Sequence, residues 1–343
     1  MIRPSGPPTA RPGTPPGPPA PPAPPAPLGV KDLFRLDAAD IQALLTPAEA
    51  VEALAAALRE GLDPESCPHR TATAVPGGEL LLMPAASGGH AGVKIAGVAP
   101  GNAALGLPRI TGAYLLLDGP TLRPLALLDG AALTALRTPA VSALAVRELT
   151  GPGPLRTVLF GSGPQAYGHL RALLAVRGVS ELTVVARNAA AGDALVGYAR
   201  AAGVRARAGG PEAVAGADLV LCCTTAREPL FEGRLVPAGA TVVAVGSHEP
   251  DARELDTALV RRSAVWVESR AAALREAGDL LIPEAEGAIG PGHVTGTLAD
   301  LVRGRAVRAT TSCPQVFKSV GMAWEDLAVA VALYAAAGAN SET

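Results

Sequence analysis

The chain has 343 residues, enough for two domains, and its formal net charge of −2 argues against a nucleic-acid surface built on basic excess. No apolar run reaches the roughly 18 residues that a bilayer span needs, and the start of the chain lacks the apolar core of a signal peptide. Cys67, Cys222, Cys223 and Cys313 form neither a C-x-x-C pair nor a disulfide framework, so the expectation is a reduced, cytoplasmic protein with no metal site and no membrane partner.

Thirteen of the first 27 residues are proline, which leaves residues 1–27 unable to form helix or sheet. A disordered or polyproline-II tail is expected there, with a PxxP ligand for a partner domain as the functional alternative. Folding is expected to begin near Leu28. Residues 46–59 predict a helix: Thr46 is the N-cap, Pro47 follows at the first position, and Glu49 completes a capping box. Strand-like runs at 71–75, 79–83, 91–99, 110–117 and 125–128, separated by Gly and Asp turns, predict an antiparallel sheet. Residues 130–147 read as a helix interrupted or restarted at Pro139.

The stretch at 156–170 carries the strongest signal. A short apolar run, Thr157 to Phe160, leads into Gly161-Ser162-Gly163-Pro164-Gln165-Ala166, the G-x-G-x-x-A form of the dinucleotide fingerprint, followed by helical spacing. Gly161 permits the tight turn, Gly163 lets backbone N–H groups approach a pyrophosphate, and Ala166 lets helix and strand pack closely. Such a phosphate sits at a helix N-terminus, drawn by unpaired N–H donors. Apolar strands at 156–160, 182–186, 217–222, 241–245 and 264–267 then alternate with helix-like stretches such as 189–202 and 250–262, which predicts a doubly wound parallel sheet. Ligands in such sheets bind at the C-terminal strand ends, here 161–165, 187–188, 224–226 and 246–249. The last apolar helix, 322–337, is about 16 residues long, short for a membrane, and is expected to return to the first domain.

Several stretches together resemble the ornithine cyclodeaminase/μ-crystallin family. They are Gly92-Val93-Lys94, Gly101-Asn102 with Gly106-Leu107-Pro108, Leu136-Arg137-Thr138-Pro139-Ala140, the fingerprint itself, Val245-Gly246-Ser247 with Glu254-Leu255-Asp256, Glu276-Ala277-Gly278-Asp279, and Phe317-Lys318-Ser319-Val320-Gly321 with Asp326-Leu327. The likeness spans roughly residues 30–338. It implies an α/β fold in which a Rossmann-type doubly wound parallel sheet (149–311) is inserted in a mixed α/β substrate-binding and dimerisation domain (28–148 plus 312–343). It also implies a homodimer and an NAD(P)-dependent oxidoreductase acting on the α-carbon–nitrogen bond of a small amino or imino acid.

On its own residues, Lys94 in the apolar run Gly92-Val93-Lys94-Ile95-Ala96 is either paired with an anion or turned outward from an edge strand. By resemblance Arg70, Lys94 and Arg137 are the carboxylate clamp, and Arg137 can bind a carboxylate bidentately. Ala186-Arg187-Asn188 lacks the acid that holds the ribose hydroxyls of NAD, so NADP(H) is favoured over NAD(H), with Arg187 on the 2′-phosphate. Ser162, Gln165, Thr224, Gly246, Ser247 and Ser319 are further candidates for cofactor contacts. Cyclising members carry an Asp at the position of His248; here His248, or Glu249 if turned inward, is the candidate proton-handling residue. The stretch 250–256 resembles the ketimine-reductase branch, so the expected activity is reduction of a cyclic ketimine such as pyrroline- or piperideine-2-carboxylate. The alternatives are an ammonia-releasing ornithine or lysine cyclodeaminase, an alanine-type dehydrogenase, and a non-catalytic nucleotide-binding protein. His69, His90, His169 and His293 lack metal-ligand spacing.

Overall fold

A computed structural model describes residues 33–308 and 312–341, so the proline-rich stretch 1–27 and the expected start near Leu28 lie outside the described residues. The first sheet holds β1 (Phe34–Leu36), β2 (Thr71–Val75), β3 (Gly78–Ser87), β4 (His90–Val98), β5 (Ile110–Asp118) and β6 (Pro124–Asp129), in spatial order β1-β6-β5-β4-β3-β2. β2 to β6 pair antiparallel in sequence, as the run spacing and the Gly and Asp turns predict. β1 lies parallel to β6, which makes the sheet mixed rather than antiparallel; three residues are too few to display an alternation.

Period-2 alternation separates the two faces of this sheet. Met83, Ala85, Ala96, Tyr114, Leu116, Ala126 and Leu128 point inward and are buried. Helices α1 (Ala38–Leu44), α2 (Pro47–Arg59), α3 (Gly130–Leu149) and α10 (Ala323–Ser341) pack together, and α3 and α10 touch the sheet directly. In α2 the residues Val51, Leu54, Ala55 and Leu58 recur at helical spacing and are fully buried. Each large side chain so buried contributes about 1.5–3 kcal/mol. The capping box forms as expected: Glu49 N–H donates to Thr46 Oγ1 (3.3 Å) and Thr46 N–H donates to the Glu49 carboxylate (2.8 Å).

The second sheet has eight strands: β7 (Leu155–Phe160), β8 (Val179–Val185), β9 (Ala206–Ala208), β10 (Leu219–Cys222), β11 (Thr241–Ala244), β12 (Ala264–Val267), β13 (Val294–Thr297) and β14 (Gln315–Lys318). All pairs are parallel, in the order β13-β12-β14-β11-β10-β7-β8-β9. Its central strands β10, β11 and β12 are largely apolar and fully buried, as helices line the sheet: α4 (Pro164–Val176), α5 (Ala189–Ala201), α6 (Thr257–Arg262), α7 (Arg270–Glu276), α8 (Gly278–Ala285) and α9 (Leu298–Val302). The helix expected at 250–262 shrinks to α6, because 250–256 is a loop whose backbone is tied to the Asp279 carboxylate on α8 and to Arg227 and Leu230 in the loop after β10. The closing segment crosses later than expected: β14 sits inside the second sheet between β11 and β12, and only α10 returns to the first.

One helix joins the two halves. α3 runs without a break through Pro139 and packs along α4, β11 and β14 as well as the first sheet. Its proline is accommodated by Gly168 on α4, where an added Cβ would come within 2.8 Å of the Pro139 ring. Next to this contact, the buried ring of His169 bonds to Ser142 Oγ through Nε2 (2.9 Å) and donates from Nδ1 to the Gln165 carbonyl (2.8 Å). Burial pushes the His169 pKa down to about 4. The unfolded chain therefore binds a proton between its ordinary value of 6.5 and about 4 that the folded chain refuses. Stability present above pH 6.5 is lost on acidification through that window, by up to about 1.4 kcal/mol per pH unit. His169→Gln keeps a donor and an acceptor but does not titrate; urea melts at successive pH values are expected to show a flatter profile between about pH 6.5 and 4.

Candidate active site

The order of the parallel sheet reverses at β7, with β8 on one side and β10 on the other, and a crevice opens where their C-terminal ends part. Gly161 lies at that point with φ +109°, and an added Cβ would sit 2.4 Å from the Cys223 carbonyl oxygen at the end of β10. Only glycine fits there. Gly163 is the N-cap of α4 and brings no side-chain cap; Pro164 has no N–H and Ala166 N–H bonds the Gly163 carbonyl (2.9 Å), while the N–H groups of Ser162, Gly163 and Gln165 have no partner among the described residues. A Cβ at Gly163 would meet nothing within 4 Å. Gln165 adds a buried amide oxygen with no partner. Ala166 is fully buried against the sheet. An open turn, unpaired N–H groups and an orphaned acceptor are what a dinucleotide needs.

Ser162 is partly exposed on the same turn. At the end of β8, Arg187 is exposed and makes no ion pair or hydrogen bond among the described residues, while Asn188 caps α5 by accepting from Ala191 N–H (3.0 Å). At the ends of β10 and β11, one buried carboxylate ties the floor together. Glu254 accepts from Thr224 N–H (3.0 Å) and Oγ1 (2.7 Å) and from Gly246 N–H (2.8 Å). Burial raises its pKa to about 7. Ser247 donates its hydroxyl to the Ala252 carbonyl (2.9 Å), and Lys318, fully buried in β14, bonds the Ser247 carbonyl (2.7 Å) and Asp279 (2.8 Å). The side chains of Thr224, Ser247 and Ser319, offered by the sequence as cofactor contacts, are thus spent within the protein, Ser319 on Glu268 (2.6 Å). Buried hydroxyls take the nearest strong acceptor.

The expected clamp residues converge from three elements. Lys94 on β4 is 3% exposed, and its ammonium bonds both oxygens of Asp326 (2.7 and 2.9 Å) and Thr134 Oγ1 (3.2 Å). Of its two readings the inward, anion-paired one holds. Burial, then the Arg137 charge, bring its pKa down to about 8. Arg137 on α3 donates to Glu325 through Nη1 and to Asp326 through Nε (3.2 Å). Arg70 donates to the carbonyls of Val320 (2.8 Å) and Gly321 (2.6 Å) and pairs with Glu276 (2.9 Å). Gly321, at φ +72°, is the meeting point: Arg70 holds its carbonyl while a Cβ there would come within 2.8 Å of Arg137 Nη1.

His248 stands at the mouth of this cluster. Partial burial of its ring, then the charge of Arg70, lower its pKa, although the residue as a whole is exposed. Glu249 does not turn inward: it pairs with Arg227, which also holds Asp251, on the exposed side of the loop. Arg227 gives Glu249 a charge-assisted partner, whereas the cluster's own carboxylates would repel it.

Glu268 and Glu325 were not singled out by sequence reasoning, and Glu254 and Lys318 entered only as members of the family-like stretches with no role assigned, although each bears a charge in an apolar setting. Lys318 follows Val316-Phe317, Glu268 ends the run Val265-Trp266-Val267, and Glu325-Asp326 open an otherwise apolar helix. A charge inside such runs is costly unless partnered, and that signal was available for all of them.

A doubly wound sheet with an open glycine turn at its switch point, beside a buried set of cations in a second domain, defines a two-domain Rossmann-type protein. The chain belongs to the Ornithine cyclodeaminase/mu-crystallin family, whose model matches residues 33–341. It is 37% identical over 235 residues to the Δ1-pyrroline-2-carboxylate reductase of Colwellia psychrerythraea, covering 65% of this chain and 72% of that protein. The structure of Thermococcus litoralis Δ1-pyrroline-2-carboxylate reductase in complex with NADH and L-proline matches with a TM-score of 0.85 at 32% identity, over 90% of this chain and 98% of that one. An archaeal alanine dehydrogenase dimer with bound NAD matches with a TM-score of 0.84 at 27% identity, over 90% and 97% of the two chains.

Proposed function

We propose that the chain is an NAD(P)H-dependent reductase of cyclic ketimines, taking Δ1-pyrroline-2-carboxylate or its six-membered homologue to the cyclic amino acid. The observation that carries this reading is the convergence of Lys94 and Arg137 on Asp326, with Arg137 and Arg70 meeting at the Gly321 turn after β14. The family relatives named for this activity, one of them holding NADH and L-proline, support it.

The turn Gly161-Ser162-Gly163 and the start of α4, with Gln165, would hold the nucleotide, and Arg187 and Asn188 would flank its adenosine ribose. When bound, a nicotinamide nucleotide supplies the reducing equivalent for the α-carbon. Lys94 and Arg137 fix the substrate carboxylate, and Arg70 closes the near side. Fixing that group aligns the ring imine and removes the entropy cost of finding the reactive pose. His248, held neutral at pH 7 by its lowered pKa, is suited to pass a proton between solvent and the ring nitrogen. Its place in the Gly246–Ser247 loop is set from below by Lys318.

NADP(H) is the favoured cofactor because Arg187 is free, exposed and not accompanied by an acid at the end of β8. NAD(H) is the second reading, supported by the NADH and NAD held by the two structural relatives. Arg187→Ala is expected to lower kcat/KM with NADPH by roughly 10- to 100-fold, the loss of one charge-assisted contact, and to leave the NADH value within about threefold. Equal losses with both cofactors would remove Arg187 from the 2′-phosphate.

A homodimer is also proposed. The outer face of the first sheet presents Leu80, Leu82, Ile95 and Leu127 exposed, with Val93 and Leu115 half-buried beside them, and no described element covers it. Such a face is suited to a second copy. The experiment that tests the activity offers both cyclic imines with NADPH and NADH in parallel, and assays ammonia from ornithine and lysine with catalytic NAD. Oxidation of NADPH by the imines is the expected result. Ammonia release without net cofactor use would replace the reductase with a cyclodeaminase.

A further inference from the structure

Five buried charged groups meet where β4, α3, the end of β12 and the start of α10 come together: Lys94, Arg137, Glu268, Glu325 and Asp326. Two are cations and three are carboxyl groups. Full ionisation would leave one uncompensated negative charge in the interior before any anionic substrate arrived. A group in that position takes up a proton instead.

The local bonds say which groups hold it. Glu268 accepts from Ser319 Oγ (2.6 Å) on one oxygen and from the amides of Val320 (2.9 Å) and Gly321 (3.2 Å) on the other. The next amide along, Met322 N–H, donates to Glu325 Oε1 (3.1 Å). Consecutive amides of one turn therefore hold the two carboxyl groups side by side. The second oxygen of Glu325 accepts from Arg137. Both carboxyl groups are acceptors when ionised, and two acceptors held side by side out of water can bond each other only with a proton on one of them. Burial, then the Glu268 charge, push the Glu325 carboxyl well above the usual range.

We propose that Glu268 and Glu325 share one proton, and that this proton holds the cluster at zero net charge so that Lys94 and Arg137 can receive a substrate carboxylate. Two cations then face one charge on Asp326 and one on the Glu268–Glu325 pair. Loss of the shared proton would present the substrate with a net negative pocket. Both residues are positioning residues: neither touches substrate, and both act through Arg137 and the 319–322 turn. The other groups facing the pair do not supply the proton's role. Lys94 and Asp326 are paired with each other, Arg70 is held by Glu276 and the Val320 and Gly321 carbonyls, and burial raises the Cys67 thiol, to about 11, and the Tyr114 hydroxyl, keeping both neutral. The functional half of the proposal rests on the carboxylate-clamp reading; the shared proton does not.

The test is E325Q in the full chain. A carboxyl that stays protonated on folding but ionises in the unfolded chain makes folding less favourable as pH rises. The amide of E325Q has no proton to lose. The folding constant of the native protein relative to E325Q is therefore expected to fall about tenfold per pH unit from roughly pH 5 to 8, read by denaturant melts. Titration of Lys94 and His169 is common to both proteins and cancels. A pH-independent offset, as a merely structural role would give, overturns the shared proton. If E325Q does not fold, infrared spectroscopy of the native protein decides. A carboxylic-acid carbonyl band that shifts in D2O and survives at about pH 8.5, where Glu254 at about 7 has ionised, is expected; its absence overturns the proposal. Failure of the clamp reading would show separately, as unchanged KM in Arg137→Ala, and would move neither signal.

Discussion

Arg137→Ala is expected to lower kcat/KM for a cyclic imino acid by roughly two to three orders of magnitude, about 3–4 kcal/mol of transition-state stabilisation. The guanidinium lies almost wholly out of water, and the two-pronged contact it offers a carboxylate cannot be replaced by solvent. Most of the loss is expected in KM, because the carboxylate is bound in ground and transition states alike, with a further loss in kcat from misalignment of the ring. Arg137→Lys separates charge from shape. A lysine keeps the charge but cannot reach Glu325 and Asp326 together as Nη1 and Nε do, so it is expected to recover only part of the activity. Steady-state kinetics with the imine, beside a thermal melt to confirm folding, checks both. An alanine variant with KM within about threefold of the native protein would remove Arg137 from the clamp.

Asp326→Ala is expected to produce the largest loss of stability. Asp326 is completely buried and is the shared counter-ion of Lys94 and Arg137. Removing one member of a buried charge set leaves its partners uncompensated, at about 3–5 kcal/mol. For a chain of this size that corresponds to a fall in Tm of roughly 5–8 °C. Lys94, already brought down to about 8, is expected to lose its proton at neutral pH once the carboxylate is gone, since Asp326 is its main stabilising charge. Asp326→Asn keeps the shape and one acceptor, and is expected to lose less. Calorimetry of the three proteins reads the order native, Asn, Ala; a Tm for Asp326→Ala within about 2 °C of the native protein would mean the cluster is solvated.

The parts of this molecule that were legible in its sequence are those fixed by neighbours along the chain. The fingerprint from Gly161 to Ala166, the capping box of Thr46 and Glu49, and the turn-separated strands β2 to β6 each depend on residues a few positions apart, and each formed as read. Lys94 shows where such reading stops. An apolar run around a lysine demands an anion, but the anion is Asp326, 232 residues away, and only the fold brings them together. Glu249 shows the same limit from the other side: its direction is set by Arg227, 22 residues earlier in the chain, not by its place beside His248. β14 was missed because only Val316 and Phe317 of its four residues are apolar, flanked by Gln315 and Lys318, and its position between β11 and β12 comes from the path of the whole chain. The buried-charge cluster, assembled from β4, α3, the end of β12 and α10, is therefore recognisable residue by residue only through its buried charges.

The central claim, that this chain reduces a cyclic imino acid whose carboxylate is held by Lys94 and Arg137, is tested most directly by product stoichiometry. Purified protein is given Δ1-pyrroline-2-carboxylate and a limiting amount of NADPH, and proline is measured alongside cofactor consumed. One proline per NADPH is the predicted result, with the rate collapsing in Arg137→Ala. Cofactor that stays reduced with both cyclic imines, at a nucleotide concentration where binding is demonstrated, would contradict it.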